Sequence, residues 1–287
     1  MAQPPTIDKA SFGDGTGWLI AGGELLARGG APLLRVALVV LLISLLQIVP
    51  AIGPLLLVLI SPLVTAGLLD TFRRVEAGEP VAGDSVLAGF RDPGARARLL
   101  VLGAVLLLGT GAAIGALGAW LSPQMDLQAL TQLMADPETM NQEPERLIAM
   151  FEGVNVFGGL VIAATIFAVT LAALYFGVPL VFFWHWPVAA ALLFSLRALL
   201  INWLAFLGFG LVLVGTLLAA GILYGLIAGI VSLALGAAGA FFVQLLSMAL
   251  SLFVQLLVAA AQWRAFLRVF PAGPGRSEGD GGDAVEL

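Results

Sequence analysis

The sequence predicts an all-α, polytopic membrane protein with six transmembrane helices arranged as three hairpins, together with short interfacial helices on the cytoplasmic side. The 287 residues are 60% hydrophobic and only 11% charged, with a mean hydropathy of +1.05. An ordinary globular domain has about a quarter charged residues. Several apolar stretches also approach or exceed the roughly 20 residues that a helix needs to cross a bilayer. Finally, arginines cluster between alternate stretches, as expected of cytoplasmic loops.

Six stretches are predicted to span the membrane, within a transmembrane domain of residues 17–269. They are Pro32–Val49, Leu55–Leu69, Leu99–Leu121, Val154–Val178, Leu199 to about Leu223, and Phe241–Phe266. The motif PAIGP, residues 50–54, separates the first two, because proline and glycine interrupt a helix and permit reversal. Region 199–266 is almost continuously apolar and is compatible with two long membrane segments or three short ones.

The distribution of charge favours two membrane segments in that region. With six spans in total, all the arginine clusters lie on the same side of the membrane. That side is predicted to be the cytoplasm, because cytoplasmic loops carry an excess of basic residues. A seventh span would place Arg264 and Arg268 outside. Residues 224–240 then form an apolar connector at the outer face, and the acidic loop 122–152 lies outside. Within that loop, MDLQALTQLM and PERLIAMF are predicted to form amphipathic surface helices.

Both termini are therefore predicted to be cytoplasmic, in the inner membrane of a bacterium. The N-terminus lacks a basic segment followed by an apolar one, so no cleavable signal peptide is expected. Twelve of the thirteen basic residues are arginine, and alanine and glycine are abundant, which is typical of a GC-rich bacterial genome. The tails, residues 1–16 and 270–287, are predicted to be disordered; the second is rich in glycine and acidic residues.

A weak internal repeat accompanies the three hairpins. Each odd-numbered span follows a short helix-like stretch that ends in arginine: GWLIAGGELLAR at Arg28, DSVLAGFR at Arg91 and PVAAALLFSLR at Arg197. All three are too short to cross a bilayer. The sequence therefore predicts a unit of interfacial helix, span out and span back, repeated three times.

Three segments resemble a known family. They are GWLIAGGELLARGGAPLL, PAIGPLLLVLISPLVTAGLLDTFRRVEAGEPVAGDSVLAGFR and VPLVFFWHWPVAAALLFSLRALLINWLAFLGFG. All three resemble an uncharacterised family of six-span bacterial inner-membrane proteins. That family is similar to the YciC-like proteins and to the membrane domain attached to some glycerophosphodiester phosphodiesterases. The resemblance implies a polytopic inner-membrane protein and supplies neither a reaction nor catalytic residues.

The motif FFWHWP contains the only histidine, His185, between Trp184 and Trp186. Tryptophan is enriched at membrane–water interfaces, so these residues are interpreted as an interfacial anchor. The alternative is a pH-responsive or lipid-phosphate contact. A metal site is not expected, because the chain has one histidine and no cysteine. Arg28, Arg91 and Arg197 are the other interfacial candidates, either as anionic-lipid contacts or as topology signals.

The last predicted span carries a polar stripe. Gln244, Ser247, Ser251, Gln255 and Gln262 are spaced by 3, 4, 4 and 7 residues, which places them on one helix face. Lipid does not stabilise such a face, so it should contact protein or water. Hydrogen bonding between helices is the preferred interpretation; the wall of a substrate path is the alternative. Ser44 and Gln47 of the first span form a smaller version of this pattern.

Glycines at four-residue spacing allow close helix contact. Gly111 and Gly115 form one such pair, and Gly221, Gly225 and Gly229 form a longer series. Packing within one chain is the preferred interpretation of both. Formation of a homo-oligomer through the second series is the alternative.

Two functions follow from these patterns. The first is a structural or accessory membrane protein that organises lipid or a membrane partner. The second is a transporter or channel for a small or amphipathic molecule. An enzyme is not expected, because no recognisable arrangement of nucleophile, base and metal ligands appears. The expected partners are membrane lipids and a protein partner or a second copy of the chain. No cofactor and no nucleic acid are expected.

Overall fold

The apolar stretches form helices, because a helix satisfies its own backbone hydrogen bonds in lipid. A computed structural model describes residues 6–135, 145 and 149–271, and these contain no strand. In chain order the helices are α1 (Phe12–Gly29), α2 (Pro32–Ser44), α3 (Ile52–Glu76), α4 (Ala88–Arg91), α5 (Arg96–Leu121), α6 (Leu127–Ala135), α7 (Val156–Trp184), α8 (Val188–Ile201), α9 (Trp203–Leu235) and α10 (Ala237–Val269).

Five helices in the described ranges are long and apolar enough to cross a membrane, namely α3, α5, α7, α9 and α10. The all-α polytopic fold is therefore confirmed. The predicted second and third spans lie within α3 and α5. The predicted fourth span ends at Val178, but α7 continues through Pro179 to Trp184. The motif FFWHWP thus begins inside the helix and ends beyond it.

The predicted first span is helical except for its last residue, Val49. Its helical part is α2 and a 3₁₀ turn, Leu45–Ile48, which together are about 28 Å long. A hydrocarbon core is about 30 Å thick. α1 and the segment Pro32–Ile48 meet at an angle of 106°. The protein therefore has a sixth span only if these two bent segments are taken together as one. Gly53 is packed so closely that a Cβ there would lie 1.9 Å from the carbonyl oxygen of Leu46, which explains the glycine in PAIGP.

The predicted apolar connector at residues 224–240 is wrong. α9 and α10 each contain 33 residues and are joined only at Gly236, whose φ is 53°. The predicted boundaries near Leu223 and Phe241 are also wrong, because no proline or polar run interrupts either helix. Region 199–266 thus contains two long membrane segments. Each is about 50 Å long, which exceeds the thickness of the hydrocarbon core.

The short helices pack against the long ones. α1 contacts α9 and α10, and α8 contacts α7. A 3₁₀ turn, Gly83–Leu87, contacts α2 and α3 and leads into α4. α1 and α8 also leave apolar side chains exposed, such as Ile20 of α1 and Leu200 of α8. These helices therefore form an extra layer at one end of the bundle.

The buried core lies at that same end. Phe176 of α7 is at its centre, with ring centroids 5.7 Å from Phe206, 6.3 Å from Phe266 and 5.3 Å from Phe270. Towards the other end of the bundle, α9 exposes large apolar side chains along most of its length, and α10 exposes them between Phe241 and Phe253. One end is thus a packed core, and the other presents apolar helix surfaces to lipid.

The two ends of the described chain meet beside this core. Asn202, at the junction of α8 and α9, accepts a hydrogen bond from the Ala10 amide at 2.6 Å and donates to the Asp8 carbonyl at 3.2 Å. The Asp8 amide donates to the Val269 carbonyl at 2.9 Å. The predicted disordered tail 1–16 is therefore too long. α1 begins at Phe12 and is capped by Ser11, whose hydroxyl accepts from the Asp14 amide.

Part of the acidic loop is helical. α6, Leu127–Ala135, lies within the predicted helix MDLQALTQLM. Half of the second predicted helix, PERLIAMF, falls outside the described residues, as do residues 272–287 of the predicted C-terminal tail. Phe270 and Pro271 precede that part, and Phe270 is fully buried, so the ordered region extends past 269.

Candidate ligand-binding crevice

α2 and α10 lie beside each other with few contacts and leave a crevice of about 210 Å³ between them. Six amide and hydroxyl side chains line it: Ser44, Gln47, Gln244, Ser247, Ser251 and Gln255. Leucine and methionine side chains complete the wall. The crevice thus combines a polar surface with an apolar rim.

Helical geometry positions these polar groups. The spacing of the four residues from Gln244 to Gln255 places them on one face of α10. On the opposite wall, Ser44 is the last residue of α2 and Gln47 lies in the following 3₁₀ turn. The sequence predicted both polar patterns, and the tertiary structure brings them together.

The polar groups of the crevice are largely without protein partners. Ser44 donates to the Val40 carbonyl of its own helix at 2.9 Å. Within the described ranges, the other five side chains form no hydrogen bond. Gln244, Ser251 and Gln255 are exposed, and Ser247 is half-buried. Neither wall contributes an ionisable side chain. The crevice therefore offers uncharged donors and acceptors to a ligand or to water.

A second cavity of about 320 Å³ lies on the other side of α10, against α9. Gly221 and Tyr224 of α9 form part of its wall, and Ser247 and Ser251 of α10 face it as well. Because the two serines line both cavities, the polar stripe is open on two sides of α10.

Gln262 is separated from the other stripe residues. It is buried beside α7 and donates a hydrogen bond to the Tyr175 carbonyl. This bond joins α10 to α7 within the packed core. The predicted stripe is therefore divided, with four residues in the crevice and one acting as a contact between helices.

The tryptophans of FFWHWP contact other aromatic side chains. Trp184 lies 5.6 Å from Phe266 and 5.8 Å from Phe270, and Trp186 lies 5.0 Å from Phe194, measured between ring centroids. Both tryptophans are half-buried. They therefore connect the end of α7 to α10 and α8 while keeping part of each ring exposed.

His185 ends α7 with a left-handed backbone, at φ 54°. Its Nε2 lies 3.2 Å from Oδ2 of Asp92, and its carbonyl accepts a hydrogen bond from Arg98. The side chain is half exposed. His185 thus connects the end of α7 to the loop that precedes α5.

The three candidate arginines lie in different environments. Arg28 and Arg197 are exposed on α1 and α8. Arg91 ends α4 and forms an ion pair with Asp84, with 2.8 Å between Nη1 and Oδ2. Arg91 also lines a cavity at the end of the bundle where the core lies.

The glycine series do not pack as expected. A Cβ built at Gly111, Gly115, Gly221, Gly225 or Gly229 would meet no atom within 4 Å. The preferred interpretation, packing within one chain, is therefore wrong for these glycines. Close contacts occur instead at glycines that the sequence did not single out, such as Gly15, Gly67 and Gly103.

Two polar positions of structural importance were also missed. Asn202 is buried and secures the N-terminal segment. Glu76, at the end of α3, accepts from Trp263 Nε1 at 2.6 Å and pairs with Arg264. A polar residue between two apolar helices was the available signal for Asn202. Nothing in the sequence indicated which residues would contact Glu76.

No family model, curated protein or solved structure matches this chain. Its function is therefore inferred from the geometry of the crevice and of the helices around it.

Proposed function

We propose that this membrane protein binds the polar part of a small or amphipathic molecule in the crevice between α2 and α10, as a transporter or carrier. One observation supports this function above all. Amide and hydroxyl side chains of two segments share a cavity, and among the residues that the structure describes they form almost no hydrogen bonds to protein. Unpaired polar groups in an apolar environment are costly, so a polar ligand group or water that bonds to them is favourable.

The lining also indicates the type of molecule. Glutamine amides and serine hydroxyls supply both donors and acceptors and carry no charge. An uncharged group with hydroxyl, ester or amide functions therefore fits better than an ion. Leu41, Leu45, Met248 and Leu252 supply apolar contacts beside it. An amphipathic molecule would place its polar end among the glutamines and its apolar part along the helices.

Cysteine labelling tests this function. The chain has no native cysteine, so a single Ser251→Cys substitution gives one reactive thiol. We expect a water-soluble maleimide to label Ser251→Cys in intact membranes, because the crevice admits water. Ala260→Cys, at a fully buried position on the same helix, should remain unlabelled.

A lipid-facing control completes the design. Leu218 lies near the middle of α9, and its side chain is 63% exposed. Leu218→Cys should react with a membrane-soluble maleimide and resist the water-soluble one. Equal resistance at positions 251 and 218 would contradict a hydrated crevice.

The unoccupied glycine faces favour a second function, that of a structural or accessory protein organising lipid or a membrane partner. Gly221, Gly225 and Gly229 face open space, and glycine permits close approach of another helix. A partner helix there could also cover the adjacent cavity and shield Ser251. Cross-linking through Gly225→Cys together with failure to label Ser251→Cys would favour this second function. Neither function involves a chemical reaction.

We also propose a bacterial inner-membrane location with both termini in the cytoplasm and a threefold repeat of short helix and hairpin. The arginines of α1, α4, α5, α8 and α10 support this orientation. The hydrogen bond between Asp8 and Val269 keeps the two ends together, as an even number of crossings requires.

A reporter fusion tests this orientation. A fluorescent protein that folds only in the cytoplasm, fused after Leu287, should fluoresce. A phosphatase that is active only in the periplasm should be inactive at the same site and active when inserted at Asp126. The opposite pattern of reporter activity would show that both termini lie in the periplasm and that the proposed orientation is wrong.

A further inference from the structure

A third pocket, unrelated to the crevice, lies at the opposite end of the bundle. It has a volume of about 470 Å³ and is formed by the end of α3, residues 82–92 and the end of α7. Phe182 forms an apolar part of its wall. Five charged side chains also line it: Asp70, Arg74, Asp84, Arg91 and Asp92.

The carboxylates in this pocket already have partners. Asp70 accepts from Arg73 Nε at 2.9 Å and from Arg74 Nε at 2.8 Å. Asp92 accepts from the Gly94 and Ala95 amides through Oδ1 and faces His185 through Oδ2. The acidic side chains therefore have little capacity left for a cation.

Asp84 belongs to the same set. Its Oδ2 lies 2.8 Å from Nη1 of Arg91. The hydrogen bond from Arg91 is the main reason that the pKa of Asp84 is below its ordinary value, and the charge of Arg74 contributes. Asp84 therefore lies within the electrostatic influence of both guanidinium groups.

The two guanidinium groups keep unused donors. Arginine has five N–H donors, yet Arg74 uses only Nε and Arg91 only Nη1 in contacts with residues that the structure describes. Their side chains are 39% and 59% exposed. The groups of the pocket that remain free to form hydrogen bonds are thus mainly the positively charged N–H donors of Arg74 and Arg91. This holds although three aspartates also line the pocket, because their carboxylates already have partners.

Such a pocket suits an anion with several oxygens. Guanidinium groups bind phosphate through paired N–H···O contacts. The aspartates hold the guanidinium groups in position, and Phe182 supplies an apolar contact. The pocket also lies beside the ends of α3 and α7, where the phosphates of membrane lipids are found if these helices span the bilayer.

We propose that this pocket binds a phosphate group through Arg74 and Arg91, on a membrane phospholipid or on a soluble phosphate ester. A phospholipid and a soluble phosphate ester present the same oxygens to the same donors. The phospholipid would in addition extend its acyl chains along α3 and α7, whereas the soluble ester would enter from water and make no such contact.

Binding measurements on the full chain distinguish the sources. The protein is purified in neutral detergent, and its thermal unfolding midpoint is followed while phosphatidylglycerol or glycerol 3-phosphate is added. Diacylglycerol, which lacks phosphate, serves as the control. A saturable rise with phosphatidylglycerol alone identifies lipid phosphate, and a rise with glycerol 3-phosphate identifies a soluble ester. No rise with either, or an equal rise with diacylglycerol, overturns the proposal.

Substitutions test the residues. Arg91→Gln should weaken binding at least about tenfold, since a charge-assisted hydrogen bond is lost. Arg197→Gln, an exposed arginine on α8, should leave binding unchanged. Asp84→Asn should retain or strengthen binding, because the amide oxygen can still accept a hydrogen bond from Arg91 while the competing negative charge is removed. The role of Arg91 would be contradicted if Arg91→Gln and Arg197→Gln bound with equal affinity. It would also be contradicted if Asp84→Asn folded but no longer bound the ligand.

Discussion

Replacing Asn202 by alanine is expected to lower the free energy of unfolding by about 3 kcal/mol. Asn202 is 1% exposed, accepts from the Ala10 amide and donates to the Asp8 and Ala198 carbonyls. Alanine would leave the buried Ala10 amide without its acceptor, and each such unsatisfied group costs about 1–3 kcal/mol. Denaturation in mixed micelles measures the loss.

A matched substitution separates this effect from a general asparagine effect. Asn155 is exposed and caps α7 by accepting from the Gly158 amide at 2.9 Å. Asn155→Ala should therefore cost only about 1 kcal/mol. In Asn202→Ala, hydrogen exchange at the Ala10 amide should also accelerate. Equal destabilisation by both substitutions, with exchange at Ala10 unchanged, would show that Asn202 does not secure the N-terminal segment.

Replacing Gly15 by alanine is expected to destabilise the protein by about 3 kcal/mol, at the upper end of overpacking effects. A Cβ at this position would lie 1.8 Å from the carbonyl oxygen of Ala205. The obstacle is backbone rather than a flexible side chain, so α1 and α9 would have to separate. The thermal unfolding midpoint in detergent should fall clearly.

Gly17 provides the control within the same helix. A Cβ there would meet no atom within 4 Å. Gly17→Ala should therefore be neutral or stabilising, by up to about 1 kcal/mol, because alanine favours the helix. If Gly15→Ala is as stable as Gly17→Ala, the close packing of α1 against α9 is wrong.

These two positions belong to the packed end of the bundle, whereas the crevice belongs to the loosely packed end. Phe176, Phe266 and Phe270 fix the relative positions of α7 and α10 near the core. At the other end α10 has cavities on two sides, at Ser247 and Ser251. A fixed base with a loosely packed far end is a suitable arrangement for admitting a ligand between helices.

The sequence predicted the existence of the long helices better than their limits. Hydropathy locates apolar stretches, but it does not distinguish a long helix from a shorter one followed by an apolar connector. At residues 224–240 the connector was therefore wrong, and Gly236 alone makes the turn. The same limitation applied to Asn202, whose partners in the N-terminal segment are 192 and 194 residues away.

By itself, the sequence determined the fold class and the helix face that carries Gln244, Ser247, Ser251 and Gln255. Both depend on composition and on a period of 3.6 residues, which are local properties of the chain. Only the tertiary structure decided that Ser44 and Gln47 face those residues, and that Gln262 does not. It also decided that Arg74 and Arg91 share a pocket. The physical reason is that contacts between distant segments depend on the packing of whole helices.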